Sequence, residues 1–134
     1  MRKVPTDLQI LNAIYDAYYD EFCRNTEENP TRASKIFVPI DLERIASDLG
    51  VNGDIIFGRL YYDLENRYGY KTGTNTSVAF FTMQAGGDRH AINVPYMASV
   101  LAGLRDEHRK YRVATAIAFI SLVVSIASIV ISLA

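Results

Sequence analysis

The longest apolar stretch of the chain covers residues 113–134, which read VATAIAFISLVVSIASIVISLA. It contains no charged residue, no proline and no glycine. As a helix rising about 1.5 Å per residue, a stretch of this length spans roughly 33 Å, which is enough to cross the hydrocarbon core of a bilayer. A buried helix of a soluble protein seldom continues this long without one polar side. The pattern therefore predicts a single transmembrane helix.

Small residues recur along this stretch at spacings of three and four residues, which places them on one stripe of a helix. They are Ala114, Ala118, Ser121, Ser125, Ser128 and Ser132. Small side chains let a second membrane helix approach closely, and serine hydroxyls hydrogen-bond across such a contact or back to their own helix. The stripe predicts a homo-oligomer packed through these residues. The alternative is that a membrane helix merely tolerates single serines.

Helical periodicity also appears at three places before this stretch. The predicted helices cover about residues 7–26, 42–49 and 55–68, and each repeats apolar residues at spacings of three and four. The first begins with the capping box Thr6-Asp7-Leu8-Gln9, in which hydroxyl and amide side chains satisfy backbone N–H groups reciprocally. The predicted caps of the second helix are Asp41 and Gly50.

Short runs of strand-forming residues separate and follow these helices. Residues 35–38 predict a short strand, and Pro39 after them limits it to a sheet edge or a strand end. Residues 71–77, KTGTNTS, predict a polar loop. Residues 78–84 and 89–94 predict a hairpin around a Gly-Gly turn. The positions of its second strand that share one parity, and are predicted to face the core, are His90, Ile92 and Val94.

These elements predict an α+β fold in three parts. Residues 1–96 form a domain, residues 97–112 a juxtamembrane helix that starts after Pro95, and residues 113–134 the transmembrane helix. The sequence has no helix breaker between the last two parts, so the helix is expected to continue into the membrane.

Basic residues precede the apolar stretch directly. Arg109, Lys110 and Arg112 are the predicted membrane-interface residues, and Arg105 lies one turn earlier. By the positive-inside rule, the domain of residues 1–96 is expected to face the cytoplasm. The position of the apolar stretch leads us to expect a single-pass, tail-anchored membrane protein. The net charge of −1 gives no global indication of a nucleic-acid partner.

The order helix, strand, helix, turn, helix and hairpin resembles the winged helix-turn-helix superfamily. The most telling residues are Ile45-Ala46-Ser47-Asp48-Leu49-Gly50-Val51, followed by Ile55-Ile56, Leu60 and Leu64. In that pattern a small residue such as Ala46 lets two helices pack closely, Leu49-Gly50-Val51 forms the turn, and Ile56 and Leu60 seat the third helix. The resemblance implies a three-helix core with a small antiparallel sheet and wing, and it covers about residues 6–96.

The resemblance also implies a recognition helix over residues 54–68 and a wing tip over residues 85–89. The candidate partner- or nucleic-acid-binding residues are then Asp54, Arg59, Tyr62, Asn66, Arg67, Lys71 and Arg89. Three acids accompany two arginines on the expected exposed face of the helix. Such a face would release few counterions from DNA, so a protein partner is favoured over DNA.

Residue types that carry catalysis or bind metals are sparse. His90 and His108 have no cysteine or carboxylate at ligand spacing, so no metal or cofactor is expected. Cys23 is the only cysteine and is expected to be a semi-buried apolar residue. The helix tyrosines mostly lie at core spacing, but an exposed Tyr19 or Tyr62 would be an interface candidate.

The sequence therefore predicts a non-enzymatic, membrane-anchored winged-helix adaptor or effector. It would self-associate and bind a partner protein at the cytoplasmic membrane face. A related possibility is that the assembled tails perturb the bilayer. The alternative is a membrane-tethered DNA-binding transcriptional regulator.

Overall fold

The computed structural model describes the backbone of residues 1–134 and every side chain except that of Asp88. The chain divides into two compact units, Met1–Leu101 and Ala102–Ala134. The first unit combines helices with small antiparallel sheets, so the predicted α+β class is confirmed.

Helices α1, Asp7–Arg24, and α2, Leu42–Leu49, begin and end close to the predicted positions. Thr6 and Gln9 form the predicted capping box at the start of α1. The carboxylate of Asp41 accepts hydrogen bonds from two backbone N–H groups at the start of α2. Gly50 ends α2 in the left-handed conformation with φ of 70°.

The third helical stretch is interrupted by a turn that its sequence pattern did not predict. It consists of α3, Gly53–Gly58, a π-helical segment, Arg59–Leu64, and α4, Glu65–Tyr68. The backbone N–H of Glu65 donates to the carbonyl of Leu60, five residues earlier. A π-helical turn is wider than an α-helical turn, so residues four apart stay close to one line. This accounts for the complete burial of Ile56, Leu60 and Leu64.

Three strands form the larger sheet: β1, Phe37–Pro39, β4, Phe81–Ala85, and β5, Asp88–Asn93. The sheet is antiparallel in the order β1-β5-β4, with Val38 and Phe81 both opposite Ile92. Gly86, with φ of 63°, makes the turn of the β4–β5 hairpin.

A second, two-stranded sheet lies in the stretch that the sequence predicted as a loop and the start of a strand. Its strands are β2, Tyr70–Lys71, and β3, Ser77–Val78. The single predicted strand over residues 78–84 is therefore wrong in its extent, because Ala79 and Phe80 separate β3 from β4. The side chain of Asn93 fixes this break by donating to the carbonyl of Ala79 over 3.0 Å.

The core lies where the helices cover one face of the larger sheet. Its most deeply buried side chains come from α1, β1, α2, the third helical stretch, the hairpin with the residue before it, and the start of the last helix. They are Ile10, Leu11, Ile14, Val38, Ile45, Ile56, Leu60, Leu64, Phe80, Phe81, Ile92, Met97 and Leu101.

Strand parity predicts the core side of β5 only in part. Ile92 is buried, and Val94 just beyond the strand is also buried, but so are Ala91 and Asn93 between them. The side-chain amide of buried Asn93 donates to the carbonyl of Ala79 over 3.0 Å and accepts the N–H of Tyr96 over 3.1 Å.

The last helix, α5, runs without interruption from Val94 to Leu133. Its start packs within the first unit, where Met97 and Leu101 are buried. The most apolar 18-residue window of α5 has a mean hydropathy of 2.7, and none of it is buried in the protein. The predicted long C-terminal helix is confirmed, and its length and composition suffice to cross a membrane.

Candidate functional site

A cleft of about 410 Å³ opens between the starts of α2 and α3 and the β4–β5 hairpin. Four apolar side chains form its wall: Ile40, Leu42, Phe57 and Met83. Met83 is 47% exposed, whereas Ile40 and Leu42 are mostly buried and continue into the core. The cleft is thus an opening onto the apolar interior.

Carboxylates surround this wall. Asp41, Glu43 and Asp54 line the cleft, and among the described side chains no lysine or arginine lines it. Asp41 is engaged as the cap of α2, but Glu43 and Asp54 are exposed at the starts of their helices. The cleft therefore combines an apolar wall with a negative rim, and we call it the acidic cleft.

His90 closes the hairpin side of the acidic cleft in an uncommon backbone conformation, with φ of 52°. Its ring stacks on Phe81 at 6.4 Å between centroids and meets the edge of Phe57 at 5.6 Å. Its carbonyl accepts the N–H of Ile40 over 3.0 Å. Left-handed backbone at a residue other than glycine costs about 1–3 kcal/mol, and these contacts hold it in place.

Next to the cleft, α3 and the π-helical segment expose aromatic rings. Tyr61 is 40% exposed and Tyr62 is 72% exposed, as the interface prediction for Tyr62 requires. Tyr61 stacks on Phe57 at 5.3 Å, and Tyr62 meets the edge of Tyr61 at 5.0 Å. Supported rings of this kind give a large contact area at low entropic cost. We call Phe57, Tyr61 and Tyr62 the tyrosine face.

Two of the predicted binding residues, Arg59 and Arg67, are joined to acids of the same domain. Arg59 pairs with Asp7, and Arg67 pairs with the other oxygen of the Asp7 carboxylate at 2.6 Å. Asp63 bonds Arg67 at 2.8 Å and lies 3.7 Å from Arg59. Arg59 also donates to the carbonyl of Pro5 over 2.6 Å. We call Asp7, Arg59, Asp63 and Arg67 the Asp7 cluster.

The Asp7 cluster has two positive and two negative charges, so its formal net charge is zero. The hydrogen bond from Arg67 lowers the pKa of the Asp63 carboxyl, and bonds to Asp63 and Asp7 raise the pKa of Arg67. Arginines held in this way offer few free donors to a phosphate. The third helix is therefore less basic in effect than its arginine count suggests.

The other predicted binding residues lie on the surface. Asp54 lies on the rim of the acidic cleft, whereas Asn66, Lys71 and Arg89 are exposed on α4, β2 and β5. Of the basic residues among the predicted binding residues, only Lys71 and Arg89 lie outside the Asp7 cluster.

Glu65, predicted to be an exposed acid, has a structural role instead. Its carboxylate accepts the backbone N–H groups of Phe80 and Phe81 over 2.7 and 2.8 Å. Gly69 lies against it, where any Cβ would come within 2.7 Å of the Glu65 backbone carbonyl. These contacts join the end of the third helix to the start of β4.

The outer face of α1 bears Tyr19, which is 46% exposed, and Cys23, which is exposed and not semi-buried as predicted. A hydrogen bond with Cys23 raises the pKa of the Tyr19 hydroxyl. Among the described residues, no group of three or more histidine, cysteine or acidic side chains could hold a metal ion.

In the second unit, two serines of the small-residue stripe bond back to their own helix. Ser125 donates to the carbonyl of Ser121 and Ser128 to that of Val124, each over 2.9 Å. Their donors are satisfied within the helix, while their small size still permits close approach. The side chains of the remaining stripe residues are also exposed on α5: Ala114, Ala118, Ser121 and Ser132.

The predicted membrane-interface residues are also exposed on α5. Arg109 and Lys110 both pair with Asp106, at 2.9 and 3.1 Å, and Arg112 follows them. Asp106 thus reduces the local positive charge, although bases still outnumber acids over residues 105–112.

Comparison with known proteins gives no match to any family model, to any curated protein or to any solved structure. The winged-helix resemblance thus depends on the residue pattern and the element order alone.

The sequence did not indicate Phe57, Met83 and His90 as site residues, because they come from three elements that only the fold brings together. The pairing of Asp63 with Arg59 and Arg67 had a local signal, since these residues are spaced by four along a helix. The contribution of Asp7, more than fifty residues earlier, had none.

Proposed function

We propose that this protein is a non-enzymatic adaptor that α5 anchors in a membrane. Its N-terminal unit is a winged-helix domain that binds a partner protein and further copies of itself at the cytoplasmic face. The element order supports the winged-helix assignment, because β1 completes a three-stranded sheet with the β4–β5 hairpin. The apolar, unburied course of α5 supports the anchor.

The tyrosine face is the single observation that carries the binding function. Exposed tyrosines stacked on a supporting phenylalanine resemble the anchors of protein interfaces, where Tyr and Trp contribute most of the binding free energy. The neutral Asp7 cluster next to it disfavours DNA, because phosphate binding depends on available cations.

Photocrosslinking in intact membranes tests this function. Benzoylphenylalanine in place of Tyr62 is expected to give discrete adducts, whereas the same residue in place of exposed Asp16 on α1 serves as the control. Identical adduct patterns from both positions would contradict a role for the tyrosine face.

DNA binding by the full-length protein in detergent micelles is measured with a random duplex at low salt. We expect no retention above that of a detergent-only control. Salt-dependent retention that is lost in the Lys71→Ala/Arg89→Ala variant would instead support the alternative function, a membrane-tethered DNA-binding transcriptional regulator.

Cys23 gives a direct test of membrane orientation, because it is the only cysteine and is exposed. A membrane-impermeant maleimide is expected to label it in inside-out vesicles and not in intact cells. Labelling in intact cells would place the domain on the other side, and recovery of the protein in the supernatant would refute the anchor.

Self-association through the small-residue stripe is tested with Ser121→Leu/Ser125→Leu/Ser128→Leu in a membrane reporter. The matched control, Val123→Leu/Ile126→Leu/Val130→Leu, changes the opposite side of the helix. We expect the serine variant to lose signal and the control to retain it. Equal signals would show that the stripe does not mediate packing.

A further inference from the structure

The N-terminal segment Met1–Val4 has the charge and apolarity that the acidic cleft lacks. Arg2 and Lys3 are exposed and, within the part of the chain that the structure describes, make no hydrogen bond or ion pair. Val4 beside them is 68% exposed. An exposed apolar residue next to two exposed, unpaired cations is a surface that a complementary partner can cover.

The acidic cleft is complementary to such a segment. Its wall of Leu42, Phe57 and Met83 fits an aliphatic side chain, and the carboxylates of Glu43 and Asp54 fit adjacent cations. Opposite charges at an interface steer encounter and set register, and burial of the apolar side chain adds affinity.

We propose that the acidic cleft of one copy binds the segment Met1–Val4 of a second copy. This inference rests on the self-association in the proposed function. It names the contact between N-terminal units that produces this self-association. Arg2 and Lys3 lie beside Glu43 and Asp54 of the neighbour, and Val4 enters the apolar wall.

The two surfaces lie at different ends of α2, so the contact is not self-complementary. Lys3 lies in its own domain beside Asp48 and Leu49, whereas the cleft includes Leu42 and Glu43. A contact between two different surfaces is heterologous, and each bound copy offers a free cleft and a free segment. Such contacts build rings or open arrays, which suits clustering in a membrane.

A four-residue segment is a small interface, and we expect the contact to be weak in dilute solution. Anchoring in one membrane changes this, because tethered copies meet at a high effective concentration. The contact should therefore depend on the membrane density of the protein.

Pairwise crosslinking of the full-length protein in membranes tests the proposal. In a Cys23→Ser background, one tagged population carries Lys3→Cys and a differently tagged population carries Asp54→Cys. Oxidation is expected to join the two tags in one disulfide-linked dimer. The matched control places the cysteine at exposed Asp16 of α1, and equal yields with Asp16→Cys would overturn the proposal.

Charge reversal gives the second measurement. Lys3→Glu in one population, or Glu43→Lys/Asp54→Lys in the other, is expected to reduce association by roughly five-fold, since exposed attraction becomes repulsion. Mixing the two reversed populations is expected to restore it. Reduction without restoration overturns the proposal.

The serine-stripe reporter distinguishes self-association through α5 from self-association through the acidic cleft. If copies associate through α5 while cleft and segment variants change nothing, the cleft contact is refuted and the proposed function stands. If no variant and no wild-type population associates in membranes, the self-association itself is refuted.

Discussion

The third helical stretch contains two regions with opposite uses of their polar and aromatic side chains. In α3, Asp54 and Phe57 border an open cleft, and the adjoining tyrosines point outward. On either side of these tyrosines in the sequence, Arg59, Asp63 and Arg67 are bonded to one another or to Asp7. Residues that look equally available in the sequence are thus divided into a free half and a committed half. Exposed position on a helix is therefore not by itself an indication of binding.

The largest effect on stability is expected in the committed half, from Glu65→Ala. It leaves two backbone N–H groups at the start of β4 without their acceptor, at a cost of about 2–3 kcal/mol. The melting temperature of the full-length protein in detergent should fall by about 10 °C or more. Near-ultraviolet circular dichroism of the tyrosines monitors the thermal unfolding. Glu65→Gln retains an acceptor oxygen and should lose less than half as much; equal losses would contradict this role.

Asp7→Asn is expected to have the next largest effect, about 1–2 kcal/mol, because Arg59 and Arg67 lose the carboxylate that bridges them. Urea unfolding of the full-length protein in detergent measures the change. Asp16→Asn on the exposed side of α1 is the matched control and should change stability by less than about 0.5 kcal/mol. Similar values for both variants would show that the cluster contributes nothing.

Acid titration should reveal a smaller contribution from Asp63. A carboxyl whose pKa is lowered on folding stabilises the fold above its unfolded value of 3.8, and that contribution is lost as pH falls through the lower folded value. The stability difference between wild type and Asp63→Asn should be constant at neutral pH and shrink below about pH 4. Urea unfolding at several pH values measures it, and a difference that grows on acidification would reverse the assigned sign.

The smallest effect on stability is expected in the free half. Tyr62→Ala removes a ring that is 72% exposed, so the free energy of unfolding should change by less than about 0.5 kcal/mol. Crosslinking to a partner from a benzoylphenylalanine at the neighbouring position 61 should nevertheless fall several-fold in this variant. A large loss of stability would assign Tyr62 to the fold and remove it from the interface.

Local signals made much of the fold predictable. The capping box at Thr6, the Asp41 cap and the left-handed Gly50 act within a few residues, and each defined a helix end correctly. The lack of any breaker after Pro95 correctly predicted one continuous helix to the C-terminal region. Strand extents were less predictable, because Asn93 and Glu65 divide β3 from β4 through contacts between distant residues.

The candidate site was predictable only in its exposed members. Tyr62 and Asp54 lie on the surface as expected from helix periodicity. Arg59 and Arg67 were predicted to face a ligand, but the N-terminus of α1 brings Asp7 to them. The acidic cleft itself combines residues from α2, α3 and the hairpin, and no spacing along the chain encodes that arrangement.

The π-helical segment Arg59–Leu64 makes one residue of chain length decisive for the Asp7 cluster. Deleting a residue there would restore ordinary α-helical winding and rotate everything after it by about 100°. Arg67 would then turn away from Asp7, while Phe57, which precedes the segment, would keep its place. Among relatives of this chain, a one-residue gap in this segment and the loss of an acid at position 7 are therefore expected to occur together.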